Sequence, residues 1–205
     1  EVNRLHSTLG RAPRGVVVGG GLLGLEAAEG LKDLGAEPTI LDVAPWLLSV
    51  EVDQGGGYAV NAQIKATGID IETGVYISGI NKDADGNVVS VSIADSPSED
   101  AEIRTLPADM VVFGAGIRPN DELARDADLA LGERGGILVN DACHSSDEHI
   151  WAIGEVACVL GRTWGLVAPA NAMADAVAAN LLNDNEEAQV EEFDIATKLK
   201  FSGVQ

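Results

Sequence analysis

Three glycines, Gly19, Gly21 and Gly24, most constrain what this chain can become. They stand in Gly15-Val-Val-Val-Gly-Gly-Gly-Leu-Leu-Gly-Leu-Glu-Ala-Ala28 at G-x-G-x-x-G spacing. An apolar run precedes them, and a helical pattern of Leu22, Leu23, Leu25, Ala27, Ala28, Leu31 and Leu34 follows, closed by Gly35. A strand that turns through glycines into a helix in this way reads as a dinucleotide-binding turn. Gly19 allows the tight turn, Gly21 lets backbone approach a pyrophosphate, and Gly24 lets the helix lie against the strand. Gly20, Leu22 and Leu23 complete the turn and the helix start, where free N–H groups meet phosphates.

Asp42 ends the next apolar run, Pro38-Thr-Ile-Leu-Asp42, 18 residues beyond Gly24. A carboxylate there accepts hydrogen bonds from the 2′- and 3′-hydroxyls of a ribose and repels a 2′-phosphate. Val43-Ala-Pro-Trp46 offers no Arg or Lys to hold such a phosphate, so NAD(H) is expected over NADP(H).

The pattern then changes style. Val52 to Thr67 reads as a second helix despite Gly55-Gly-Gly57, and Gly68 ends it before a third parallel strand, Ile69-Asp-Ile71. Val75 to Asn81 and Val88 to Ile93 flank Asp83-Ala-Asp-Gly86, in which Gly86 can take positive φ, so a β-meander replaces a helical crossover. Met110-Val-Val-Phe113 is a further buried strand. Gly114, Ala115 and Gly116 after it either let a dinucleotide pass over the strand ends or form a plain glycine-rich exit loop. The expected class is α/β, a Rossmann-like three-layer NAD-binding domain with a parallel sheet plus an antiparallel meander.

Composition closes off other readings. The chain has 205 residues, 46% of them hydrophobic, and a net charge of −20 from 33 acidic and 13 basic residues. Such a surface repels a polyphosphate backbone, so nucleic acid is not an expected partner. Part of the excess lies in solvated stretches such as Asp95–Asp100 and Asn183–Ala188. No apolar run reaches the length of a membrane span, so no membrane partner is expected. Cys143 and Cys158 form neither a C-x-x-C pair nor a cluster and read as free thiols of a cytoplasmic protein. His6, His144 and His149 are dispersed, and His144-Ser-Ser-Asp-Glu-His149 reads as a solvated loop rather than a metal site. The opening Glu1-Val-Asn-Arg-Leu-His6 has neither an initiator Met nor a signal-peptide core, and suggests a piece of a longer chain.

The order of glycine turn, meander, Phe113-Gly-Ala-Gly-Ile-Arg-Pro-Asn120 and Ile150-Trp-Ala-Ile-Gly-Glu155 resembles the flavoprotein reductases of the pyridine-nucleotide disulfide oxidoreductase superfamily. In these an NAD-binding domain is inserted into an FAD-binding one. The resemblance implies an NAD domain over residues 13–117 and the C-terminal half of an FAD-binding domain over 118–182, with an acidic linker and the start of another region over 183–205. It implies that Gly154 and Glu155, at the end of a strand, meet the flavin ribityl chain. Val167 and Ala168 would lead into a helix, Ala172 to Leu182, whose start faces the flavin pyrimidine. Glu26, in the first turn of the glycine-loop helix, matches a family glutamate near the nicotinamide. The first flavin motif would lie upstream, so this piece is expected to be colourless and to lack catalysis of its own.

Glu192-Phe-Asp-Ile-Ala-Thr-Lys-Leu-Lys-Phe-Ser-Gly-Val204, Arg134-Gly-Gly-Ile-Leu-Val139 and Gly165-Leu-Val-Ala-Pro169 are similar to the large subunits of assimilatory NAD(P)H-dependent nitrite reductases. That likeness implies hydride transfer from NADH to FAD, then an iron–sulfur centre and sirohaem outside this chain, where nitrite becomes ammonium. The FAD domain of the parent chain is the implied partner, with a small subunit as a further candidate. A rubredoxin or ferredoxin reductase is the rival reading, and a nucleotide-sensing or assembly module the non-enzymatic one.

Overall fold

The computed structural model describes residues 1–98, 100–182, 188–193 and 199–201. Asn183–Glu187, most of the tail compared above (194–198 and 202–205) and Glu99 of the 95–100 stretch lie outside the described residues. The chain divides into two compact units, one of Glu1–Gly116 with the segment beginning at Leu199, the other of Ile117–Lys198.

The first unit opens with helix α1 (Val2–Leu9) and strand β1 (Arg14–Val18). Helix α2 (Leu22–Asp33), β2 (Glu37–Asp42), α3 (Gln54–Ala66) and β3 (Asp70–Thr73) follow, then β4 (Tyr76–Lys82), β5 (Val88–Ala94), β6 (Ile103–Pro107) and β7 (Met110–Phe113). A parallel sheet has the order β3-β2-β1-β7, and β4-β5-β6 form an antiparallel sheet. Period-two alternation assigns the two faces of the parallel sheet. Val17 and Ile40 pack with Leu25, Ala28 and Ile64 of α2 and α3, whereas Val16 and Leu41 pack with Val91 and Ile93 of the meander. This gives three layers, and each strand residue buried on either side keeps the strands apolar throughout.

The expected hairpin between β4 and β5 is present. Gly86 has φ 85°, and the Asp83 carboxylate accepts from the N–H groups of Asp85 and Asn87 at 3.0 and 2.8 Å. Strand β6, which follows a polar stretch and alternates weakly, was not expected from the pattern. Gly55-Gly-Gly57 is also explained: Asp53 caps α3 by accepting from Gly56 N at 2.9 Å, and a Cβ on Gly57 would fall 2.7 Å from Trp46 Cβ and closer still to its ring.

The second unit carries α4 (Glu122–Asp126), β8 (Ile137–Leu138), a 3₁₀ turn at Gly154–Val156, β9 (Ala157–Val159), β10 (Arg162–Thr163) and α5 (Val167–Leu182). The sheet order is β10-β9-β8, over a core that includes Val139, Cys143, Ala157, Val159 and Met173. Two expectations are corrected here. Residues 150–153 are no strand: Trp151 makes one isolated bridge to His144, without neighbours to extend a ladder, and Gly154 at φ 77° turns the chain into the 3₁₀ turn. Helix α5 begins at Val167 rather than Ala172, because Pro169 is tolerated within a first helical turn, where its missing N–H costs nothing.

Candidate functional site

The carboxyl ends of β1, β2 and β7 converge on the glycine turn. Gly19 N donates to Leu41 O at 2.8 Å, and Gly114 N donates to Val18 O at 2.7 Å, so three strand ends are stitched together. Gly19 has φ 111°, and a Cβ there would collide with the Gly114 carbonyl; a Cβ on Gly24 would overlap the carbonyl oxygen of Gly19. A Cβ on Gly114 would in turn meet Gly24 Cα at 3.2 Å. Gly19 and Gly24 are therefore demanded by backbone packing alone, and Gly114 is packed tightly against Gly24.

Gly21 is different. Its φ of −82° suits any residue, and a Cβ there would meet nothing within 4 Å. It precedes α2, whose first intrahelical bond runs from Leu25 N to Gly21 O at 3.0 Å, with no side chain capping the N–H groups ahead of it. That arrangement presents backbone donors and the positive end of a helix to open space, which suits an anion.

The open space is a cleft of about 520 Å³, within the range of small-molecule sites. It brings together Gly19, Gly20, Gly21, Asp42, Gly114, Ala115 and Gly116. Leu22, Leu23, Gly24 and Glu26 do not line it. Leu22 packs on the core, Leu23 is 70% exposed and Gly24 is buried under the turn. Glu26 is corrected in place: as the fifth residue of α2 it opens the second turn, and its Oε1 accepts from Lys200 N at 3.3 Å.

Asp42 is tied into the turn itself. Its Oδ2 accepts from Gly20 N, and its Oδ1 accepts from Ala44 N at 2.7 Å. The loop after β2 supplies cleft residues that the sequence reading passed over, among them Ser49, Val50 and Glu51, and the β3–β4 junction supplies Val75, Tyr76 and Ile77. The available signal was positional: ligands of open parallel sheets lie beyond the carboxyl ends of the strands, and these segments leave those ends.

In the second unit, Gly154 N donates to Met173 Sδ at 3.3 Å, which fastens the 3₁₀ turn to α5. Glu155 is exposed, and its Oε1 lies 3.7 Å from where Gly165 would carry a Cβ, just ahead of α5. Val167 and Ala168 are exposed in the first turn of α5. Elsewhere in this unit His144 stacks on Trp151 with centroids 4.5 Å apart and bonds Glu148 O through Nε2 at 2.7 Å. Cys143 and Cys158 are buried free thiols, and burial, with the Asp141 charge, pushes the Cys143 thiol up. Among the described residues no three His, Cys, Asp or Glu side chains gather as a metal site, and no helix is long and apolar enough to cross a membrane.

The Pyridine nucleotide-disulphide oxidoreductase family profile matches residues 1–179. The chain belongs to that family. For the pyridine nucleotide-disulphide oxidoreductases the relevant cofactors are NAD(P)H and FAD. Among relatives, the NAD(P)H nitrite reductase large subunit of Klebsiella oxytoca is 40% identical over 204 residues, which is 100% of this chain and 20% of that protein. The NADH nitrite reductase large subunit of Escherichia coli K12 is 39% identical over 100% of this chain and 23% of that protein. The chain thus spans about a fifth of the length of these relatives. Among solved structures, the ferredoxin reductase for the CYP199A2 system of Rhodopseudomonas palustris superposes with a TM-score of 0.75 at 30% identity, over 91% of this chain and 45% of that one.

Proposed function

We propose that the cleft of the first unit binds NADH and that the chain is the NADH-binding portion of a cytoplasmic nitrite reductase large subunit, which passes electrons through FAD, an iron–sulfur centre and sirohaem to reduce nitrite to ammonium. The observation that carries the NADH assignment is Gly21. Neither backbone angle nor neighbouring atoms require glycine there, yet it faces open space at an uncapped helix start, where close approach by a pyrophosphate would.

Within this reading each residue has a physical task. Gly19 and Gly24 let the strand, turn and helix close; Gly20 ties the turn to Asp42 through its N–H; Leu22 and Leu23 contribute N–H groups at the phosphates; Gly114, Ala115 and Gly116 keep the opposite wall free of bulk. Asp42 orients the turn through Gly20, and its negative charge disfavours a 2′-phosphate, so that NADH is preferred to NADPH. When bound, NADH would supply a hydride, which FAD in the whole protein would take up. Glu26, in the second turn of α2, is a candidate neighbour of the nicotinamide.

The FAD assignment covers Gly154, Glu155, Val167 and Ala168. Support comes from the exposed Glu155 carboxylate, which makes no hydrogen bond among the described residues, and from the adjacent exposed start of α5, suited to negative charge. We assign residues 13–117 to the NAD domain, 118–182 to a partial FAD domain and 183–205 to a linker; the break between compact units after Gly116 supports the first boundary. The FAD domain of the parent chain, and a small subunit, are the proposed partners. The higher identity to nitrite reductase large subunits than to the ferredoxin reductase favours nitrite over a redoxin as acceptor.

Calorimetric titration of the 205-residue chain with NADH and, in parallel, NADPH tests the cleft. Saturable binding that favours NADH is expected, and binding of neither overturns the assignment. For the whole protein, NADH-dependent formation of ammonium from nitrite, with sirohaem and iron detected, is expected; reduction of a redoxin without sirohaem overturns the nitrite assignment.

A further inference from the structure

Asp42 is not the only carboxylate on the cleft: Glu51 lines it as well, and among the described residues no Lys or Arg does. The two differ in state. Both Asp42 oxygens are occupied by backbone N–H groups of Gly20 and Ala44, so that much of its hydrogen-bonding capacity serves the fold. The Glu51 side chain is exposed and makes no hydrogen bond or ion pair among the described residues.

The backbone under Glu51 is nevertheless held firmly against the glycine turn. Leu48 N donates to Gly20 O at 2.9 Å, and Leu48 O accepts from both Glu51 N and Val52 N at 2.9 Å. Leu48 is buried at φ 54°, and the neighbouring Leu47 N donates to Asn61 Oδ1 at 3.1 Å. Glu51 is therefore two hydrogen bonds from Gly20, on a turn anchored at both the glycine turn and α3. A charge so placed stays at the cleft instead of swinging away with a loose loop.

Resting on the NADH reading of the cleft, we infer that Glu51 is a specificity-determining carboxylate, which raises the discrimination against NADPH by repelling its 2′-phosphate. NADH presents a neutral hydroxyl where NADPH presents a phosphate, so an unpaired carboxylate on the same cleft acts on one and hardly on the other. Because Glu51 faces solvent, the repulsion is modest and screened by salt, about fivefold in affinity at low ionic strength and falling towards nothing near 1 M.

Dissociation constants of NADH and NADPH for the wild-type 205-residue chain, Glu51→Gln and Glu51→Lys, each at low and high salt, test this. In Glu51→Gln the ratio of NADPH to NADH affinity rises about fivefold at low salt, further in Glu51→Lys, and both gains shrink at high salt. A wild type that prefers NADH while both variants keep its ratio within about twofold overturns the inference and leaves the NADH reading standing. So does a gain indifferent to salt, which repulsion does not produce. A wild type that binds neither nucleotide overturns the reading of the cleft, and this inference falls with it.

Discussion

Gly20 and Asp42 close on each other: the Gly20 N–H donates to Asp42 Oδ2, and a Cβ on Gly20 would stand 2.6 Å from that same oxygen. The residue proposed to select the nucleotide is thus also the residue that shapes the turn receiving it. A change at either position reaches both folding and binding.

Asp42→Ala is expected to weaken NADH binding by about 1–3 kcal/mol, the scale of losing charge-assisted hydrogen bonds, and to lower the chain's unfolding free energy as Gly20 N and Ala44 N lose their acceptor. Calorimetry with NADH and urea unfolding read the two effects. Unchanged affinity removes Asp42 from the site.

Gly21→Ala and Gly24→Ala separate ligand demands from packing demands. The first adds a methyl to open space, so stability should change by no more than about 0.5 kcal/mol while NADH affinity falls. The second drives a methyl into the Gly19 carbonyl and should cost at least about 1–3 kcal/mol of stability as well as binding. Equal stability losses in the two variants would refute the division.

Gly57→Ala places a Cβ against the Trp46 ring, 2.7 Å from Trp46 Cβ, and Trp46 is further fixed by an indole N–H donated to Val52 O at 3.2 Å. Overpacking of this kind is expected to destabilise by about 1–3 kcal/mol and to alter the tryptophan emission of the folded state. A stability equal to wild type, read by urea unfolding, contradicts this packing.

Asp109 gives the first unit an acid-sensitive fastening. Burial raises its carboxyl, but this is outweighed by bonds from Arg11 at 2.8 Å, from the Arg14 side chain and from Arg14 N at 2.7 Å, which hold it well below the usual value of 3.8. With the folded value depressed, its stabilisation is fully present above pH 3.8 and is lost as pH falls below that towards the folded value. Asp109→Asn should lower stability at neutral pH by about 2 kcal/mol and flatten the decline of stability in acid, measured by urea unfolding from pH 7 to 3. An unchanged acid limb in the variant sinks the assignment.

Much of the first unit was legible because its signals are local. Strand β7 falls on Met110–Phe113 as read, and α2 ends before Gly35, whose φ of 86° only glycine adopts freely. What stayed hidden depends on distant partners. Trp46 makes sense of Gly57 only once the loop after β2 folds over α3, and Glu51 reaches the cleft only through the Leu48 bond to Gly20. In the second unit, 150–153 carries strand-like residues but finds one bridge partner, and α5 starts five residues before Ala172 because Pro169 fits within its first turn. Glu26, expected in the first turn of the helix, is the fifth residue of α2 and so opens the second turn.

The mutual contact of Gly19, Gly24 and Gly114 constrains how such a chain can change over generations. A side chain gained at Gly19 or Gly24 strikes backbone contributed by another of the three, one gained at Gly114 crowds Gly24, and no single further substitution makes room. The turn behaves as one indivisible unit of inheritance, kept or lost whole, whereas the loop after β2 can vary one residue at a time. New nucleotide preferences in descendants of this chain should therefore accumulate in that loop.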